Sequence, residues 1–279
     1  MGSFRTNPRV KSAAEENHAL RNTPNLAFDP RKISTPLLVW LRADMGVELN
    51  GSTIEGWDDQ SGNGNDFEQT GDASAQPDPE TGLGGRATVY FDSDNGEFMS
   101  GPSFVGTVST ANDWTIVVVA NEWEWGTSGP DYSFTARKLI GTRNAPFVPG
   151  GTNLAYFSTG VGTSALGGWC GGYYNTGLVH VNAKSAAAGV EGIPIVYVLI
   201  NDGGELTCRL NGVDGDPVTG GSIQAQAGYM DLAGWSTANA DSRFGGTMSE
   251  VLIFDGSLSD GEMASLETYL SERYSFEVS

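Results

Sequence analysis

The sequence predicts an all-β sandwich closed by a single helix, and three observations carry that expectation. Glycine is abundant, at 39 of 279 residues, while charged residues make up only 18%. Short apolar runs follow one another from Leu37 onward, each closed by Gly, Asn or Asp, as in chains built from many strands and tight turns. Helical spacing of apolar residues is sustained in one place only, near the C-terminus. A chain of this length could make one large β domain or two small ones, and the unbroken series of runs favours one.

Residues 1–36 stand apart. They contain Asn7-Pro8, Thr23-Pro24, Asp29-Pro30 and Thr35-Pro36, with no sustained apolar period beyond a short helical turn around Ser12 to Leu20. They read as an extended N-terminal arm, either a disordered tail or a segment that orders against a partner. Residues 37–279 read as the sandwich. Strands are expected near Leu37–Arg42, Asn65–Gln69, Arg86–Asp92, Trp114–Trp125, Ser133–Gly141 and Asn153–Ser158. Further strands are expected near Leu178–Asn182, Ile195–Asn201, Leu206–Asn211, Tyr229–Gly234 and Thr247–Phe254. Ile116 to Val119 and Ile195 to Ile200 are apolar on both faces, as befits central strands covered on both sides. Asp202-Gly203-Gly204 joins two of these runs in a hairpin, because the glycines supply positive φ. Ser259-Asp260-Gly261-Glu262 has capping-box spacing, and Met263, Leu266, Leu270 and Tyr274 form one stripe behind it. That helix is expected at the sandwich edge in a structural role.

The net charge of −19 is unevenly spread. Residues 1–32 carry Arg5, Arg9, Lys11, Arg21, Arg31 and Lys32 against Glu15, Glu16 and Asp29. Six cations against three anions give the arm about +3, which leaves −22 on the remainder of a chain whose total is −19. A body so acidic disfavours nucleic acid and anionic membrane, which are held by clustered Lys and Arg; the alternative is that the charge serves solubility. Met1 to Arg21 has no apolar core of the signal-peptide kind, and the longest apolar stretch, Ile193 to Ile200, is too short to span a bilayer. A soluble protein made without such export is expected. Cys170 and Cys208 are expected as free buried thiols, with no disulfide.

Three stretches resemble the concanavalin A-like lectin/glucanase superfamily, in particular laminin G-like domains of bacterial and phage surface proteins. The first is Leu38-Val39-Trp40-Leu41-Arg42-Ala43-Asp44 with Trp57-Asp58-Asp59-Gln60-Ser61-Gly62-Asn63-Gly64-Asn65-Asp66. The second is Gly85-Arg86-Ala87-Thr88-Val89-Tyr90-Phe91-Asp92, and the third is Gly246 to Asp255 leading through Leu258-Ser259 into the terminal helix. Together they bracket residues 38–274. The resemblance implies a two-sheet antiparallel jelly-roll, and it leaves function open, since the fold hosts lectins, glycosidases and adhesion modules.

Catalysis finds little support. The glucanase branch of that superfamily uses an E-x-D-x-x-E strand, which this sequence lacks; Glu122 and Glu124 share a strand face but miss the Asp and the third Glu. The two histidines, His18 and His180, have no companions suggesting a nucleophilic triad, and Gly160-x-Gly162-x-x-Ala165 is not followed by a helical pattern. The resemblance implies a Ca²⁺ at the sandwich rim, for which Asp58, Asp59, Asn63, Asn65 and Asp66 form one candidate set and Asp92, Asp94, Asn95 and Glu97 another. The same residue types also build turns through their own hydrogen bonds. Sugars dock C–H faces on aromatic rings, so Trp123, Trp125, Trp169, Tyr173 and Tyr174 are candidate ligand contacts, or else strand residues packed in the core.

The combination leads to a non-enzymatic surface module. The expectation is a decoration or cement protein on a virus particle, likened to phage surface proteins, with residues 1–36 docking on a capsid or tail protein. A homo-oligomer is expected with it. The alternative is a lectin-like module recognising a host-surface glycan.

Overall fold

The computed structural model describes residues 28–69, 73–82, 85–103, 112–122, 139–144, 169–174, 180–184, 194–219, 228–234 and 244–275. Among these the chain forms, in order, strands β1 (Leu37–Arg42), β2 (Val47–Asn50), β3 (Thr53–Trp57), β4 (Phe67–Glu68), β5 (Asp78–Thr81), β6 (Ala87–Phe91), β7 (Met99–Ser103) and β8 (Trp114–Glu122). They continue as β9 (Ile140–Asn144), β10 (Trp169–Tyr174), β11 (His180–Lys184), β12 (Ile195–Asp202), β13 (Glu205–Leu210), β14 (Val213–Asp214), β15 (Val218–Thr219), β16 (Gly228–Leu232) and β17 (Gly246–Phe254). One helix, α1 (Asp260–Tyr274), follows. The all-β class holds.

Two antiparallel sheets make the sandwich. The larger has the order β14-β13-β12-β8-β17-β6-β5, with β1 also on β17 and β15 also on β13; the smaller has the order β2-β3-β4-β7-β16-β9. Between them lies the main core, where Trp57, Phe67, Met99, Met230 and Leu232 of the smaller sheet meet Leu41, Phe91, Ile116, Val118, Tyr197 and Ile253 of the larger. The hairpin of Asp202 and Glu205 closes through Gly203 and Gly204, both at positive φ, as its glycines require.

The central strands are buried on both faces, as their unbroken apolar runs predict. In β8, Ile116, Val118 and Ala120 face the sandwich interior, while Val117 and Val119 face a second core with Val196, Val198, Leu252, Phe254 and Trp40. Helix α1 supplies the other wall through Met263, Leu266, Tyr269, Leu270 and Tyr274. The helix therefore lies across the outer face of β8, β12 and β17 instead of at the sandwich edge. The reason is hydrophobic: those strands carry apolar residues on their outer face, and removing that face from water needs a cover wider than an edge contact.

Residues 28–36, at the end of the segment read as an arm, belong to this second core. Phe28 packs on Tyr269 with ring centroids 5.4 Å apart, and Ile33 joins the same cluster. Asp29 accepts from the Arg31 backbone N–H and opens a short 3-10 turn, Pro30–Lys32. Pro36 O accepts from Asp255 N at 2.8 Å. Glu262 ties this strap to the helix: its Oε1 accepts from Thr35 N at 3.0 Å, and its Oε2 accepts from Ser259 N at 2.9 Å and Ser259 Oγ at 2.7 Å. The Ser259 hydrogen bonds, with those from Thr35, pull the Glu262 carboxyl down to about 2.

The expectation of free cysteines is overturned. Cys208 in β13 is fully buried and disulfide-bonded, and the chain's one other cysteine is Cys170 on β10. Cys208 faces the sandwich interior. Strands β10 and β11 pair with each other and lie against β12, β13 and β15.

Candidate functional site

Strand β17 separates the two polar turns that the sequence singles out. Its first residue, Gly246, pairs with Phe91 on one side and Glu122 on the other, while its last, Phe254, pairs with Leu37. The turn following Phe91 therefore stands at one end of the larger sheet and the Asp58–Asp66 turn, which is bonded to the start of β1, at the other. Nine residues of extended strand put the two ends about 27 Å apart. They form two places, not one site.

In the Asp58–Asp66 turn the polar side chains are committed to the backbone. Asp59 Oδ1 accepts from Trp40 N and Ser61 N, both at 2.8 Å, and Asp59 Oδ2 accepts from Ser61 Oγ at 2.6 Å and Asn65 N at 3.1 Å. Asp66 Oδ1 accepts from Asp59 N at 2.8 Å. Asn63 Nδ2 donates to Leu37 O and Asn65 Nδ2 to Leu38 O, each at 2.8 Å. Asp58 is half-buried, and burial followed by the nearby Glu48 and Asp66 charges raises its pKa. The W-D-D-Q-S-G-N-G-N-D stretch is thus a knot that fixes the entry of β1.

The second turn is built around Glu97. Its Oε2 accepts from Asp92 N at 2.7 Å, while Asp92 Oδ1 accepts from Asp94 N at 2.8 Å and Asp92 Oδ2 from Asn95 Nδ2 at 3.0 Å. Gly96 takes positive φ here, at 75°, which lets the chain reverse and bring Glu97 back beneath Asp92. Glu97 is only 4% exposed. Burial, together with the Asp78 and Asp92 charges, pushes its carboxyl up to about 7 against the pull of the Asp92 N–H. Asp94 and Asn95 project to solvent.

Neither turn fits a calcium ion as arranged. Among the described residues no three His, Cys, Asp or Glu side chains converge closely enough to hold a metal, and the best-placed carboxylates already accept backbone N–H groups. The turn-forming reading of these residues accounts for their geometry.

Of the candidate aromatic contacts, Trp169, Tyr173 and Tyr174 lie on β10, opposite Lys184, Val181 and His180 in the hairpin ladder. Trp123 and Trp125, with Glu124, lie outside the described residues. Of the arm cations, Arg5, Arg9, Lys11 and Arg21 lie outside the described residues. Arg31 is engaged within the chain, paired with Asp29 at 2.8 Å and stacked 5.4 Å over Trp40, and Lys32 is exposed.

The sequence reading missed a buried polar cluster beneath α1. Glu250 is fully buried in β17. Its Oε1 accepts from Trp40 Nε1 at 2.6 Å and Tyr269 OH at 2.9 Å, and its Oε2 from Tyr274 OH at 2.8 Å. Arg273 Nε lies 3.2 Å from the same carboxylate, and Arg273 Nη2 donates to Asp44 Oδ2 at 2.6 Å. Arg42 completes the set, 2.9 Å from Asp44 Oδ2. Burial works against ionising Asp44, but Arg42 and Arg273 outweigh it and hold its carboxyl below the usual value. Burial and the Glu250 charge push both phenols above theirs. Glu250 is fully buried beneath α1, and the cluster anchors the helix. Its signal in the sequence was a lone Glu directly before the apolar run Val251 to Phe254.

No protein-family model matches this sequence, and no curated protein matches it. The fold nevertheless has counterparts among solved structures. Domain 4 of AbnA, a GH43 extracellular arabinanase from Geobacillus stearothermophilus, solved in complex with arabinotriose, is similar at a TM-score of 0.59 and 13% identity, over 84% of this chain and 98% of that domain. The binding domain of Paraclostridial Mosquitocidal Protein 1 is similar at 0.53 and 12%, over 88% of this chain and 53% of that one. The botulinum neurotoxin serotype G binding domain is similar at 0.52 and 12%, over 84% and 51%. The chain spans about half of each of the latter two and nearly all of the first. At such identities the likeness is one of fold, and it defines the class: a two-sheet antiparallel β-sandwich of the jelly-roll kind.

Proposed function

We propose that this protein is a non-catalytic, lectin-like module that binds carbohydrate and belongs to the concanavalin A/laminin G-like group its motifs resemble. The observation that carries the reading is the end-to-end correspondence with domain 4 of the arabinanase, a whole domain whose structure holds arabinotriose. Two features support it. The sequence lacks the three-carboxylate strand of the glucanases. Its candidate aromatic residues are also of the type that sugars stack on, three of them on β10 and two following β8 in the sequence. A glycan array probed with the full chain, followed by calorimetric titration of the best ligand, tests this. Saturable binding that Trp125→Ala weakens supports the reading, and an array without a saturable signal refutes it.

Attachment to a virus particle through the basic arm is a separate proposal about location, supported by the charge split between arm and body. Residues 28–36 are fastened to the sandwich, so the attaching part is residues 1–27. Deleting only those tests it: a truncated protein that still decorates particles at full occupancy refutes attachment by the arm.

A further inference from the structure

The β10–β11 hairpin lies against β12, β13 and β15. Among the described residues its ladder is with itself alone, and it joins neither sheet. A two-stranded hairpin of five or six residues per strand is marginal in water without something to hold it. Here part of the hold is covalent. Cys208 is fully buried on β13, facing the sandwich interior, and is disulfide-bonded; Cys170, the chain's one other cysteine, is on β10. The tethered strand also carries Trp169, Tyr173 and Tyr174, three of the chain's 16 tryptophans and tyrosines within six residues.

We propose that the Cys170–Cys208 disulfide is a redox latch that keeps this aromatic-bearing hairpin docked on β12, β13 and β15, and that its reduction releases the hairpin while the two sheets and α1 stay folded. The chemistry is thiol–disulfide exchange with a dithiol reductant. The S–S bond breaks to two protein thiols, and the dithiol gives up two electrons and two protons and closes to its own disulfide. The two sheets and α1 have attachments of their own. The sheets are joined through the main core, and α1 through the second core and the Glu250 cluster. Because Cys208 is buried, the reductant reaches the bond only when the hairpin lifts, so the rate of reduction reports that opening.

Hydrogen exchange on the full chain tests this, with and without excess dithiothreitol at neutral pH, with Cys170→Ala as a second route to the unlatched state. Thiol titration confirms reduction. The expected result is a loss of protection of about tenfold or more in residues 169–184, with β8, β12, β17 and α1 unchanged, in both the reduced protein and the variant. Three results overturn the proposal: a disulfide that resists reduction without denaturant, unchanged exchange in the hairpin once thiols are free, or loss of protection throughout the domain together. Exchange reads docking whether or not a sugar binds, so the outcome is independent of the carbohydrate reading. If both hold, reduction also weakens glycan binding.

Discussion

Replacing Glu250 with Gln removes one charge and almost no volume from the cluster under α1. The wild-type carboxylate accepts three hydrogen bonds, from Trp40, Tyr269 and Tyr274, and pairs with Arg273. The Gln amide keeps one acceptor oxygen and brings an NH₂ among donors, so at least one buried donor loses its partner and Arg273 is left to Asp44 alone. Removing one partner of a buried pair costs on the order of 3–5 kcal/mol, and the remaining contact with Asp44 places this variant toward the lower end. Urea denaturation followed by far-UV circular dichroism reads the change as a lower midpoint at unchanged slope. The double variant Glu250→Gln/Arg273→Met keeps an acceptor for the buried donors while removing both charges, and should recover part of the loss, because Arg273 no longer stands without its Glu250 partner. A loss below about 1 kcal/mol in Glu250→Gln, or a double variant worse than the single, would refute the reasoning.

Two further predictions follow from the strap and from the second turn. Deleting residues 1–27 keeps the strap of residues 28–36 and serves as the reference for its loss. Deleting 1–36 removes Phe28, Pro30, Ile33 and the Thr35–Glu262 hydrogen bonds, and should lower the melting temperature by roughly 5–10 °C by calorimetry, at about 2–4 °C per kcal/mol for a domain of this size; equal melting of the two truncations would show that the strap is not part of the fold. Glu97 titrates at about 7 when folded, above its ordinary 4.5. The folded state therefore holds the proton more tightly, and Glu97's contribution to stability is fully present below about 4.5 and is lost as pH rises through 7. Glu97→Gln keeps an acceptor for the Asp92 N–H and should flatten the pH dependence between 5 and 8 by on the order of 1–3 kcal/mol, after allowance for screening at the rim. An unchanged slope in the variant would exclude Glu97 as its source.

The parts of the fold legible in the sequence are those whose residues are buried. Strands β1, β6, β8, β12, β13 and β17 announce themselves through apolar runs, and α1 through its stripe and cap. Strand β5, Asp78-Pro79-Glu80-Thr81, is exposed at all four positions on the sheet edge, so it carries no apolar signal, and its proline is tolerated because an edge strand pairs on one side only. Strands β2 and β3 were hidden in the same way by Glu48, Asn50, Thr53 and Glu55 in a short hairpin. The helix was legible, but its place was not, since periodicity shows which face is buried and not against what. The disulfide was missed because pairing depends on distance in the fold, which spacing along the chain does not give. For the candidate sites, the Asx-rich turns were visible as composition, and only the hydrogen-bond geometry of Asp59 and Glu97 shows what their carboxylates are committed to.

The most direct test of the proposed function is titration of the intact, oxidised protein with arabinotriose and with the strongest ligands from a glycan array, read by calorimetry. The account predicts saturable binding to at least one oligosaccharide, with no hydrolysis of it on prolonged incubation. Absence of saturable binding to every glycan, or turnover of the bound one, would contradict it.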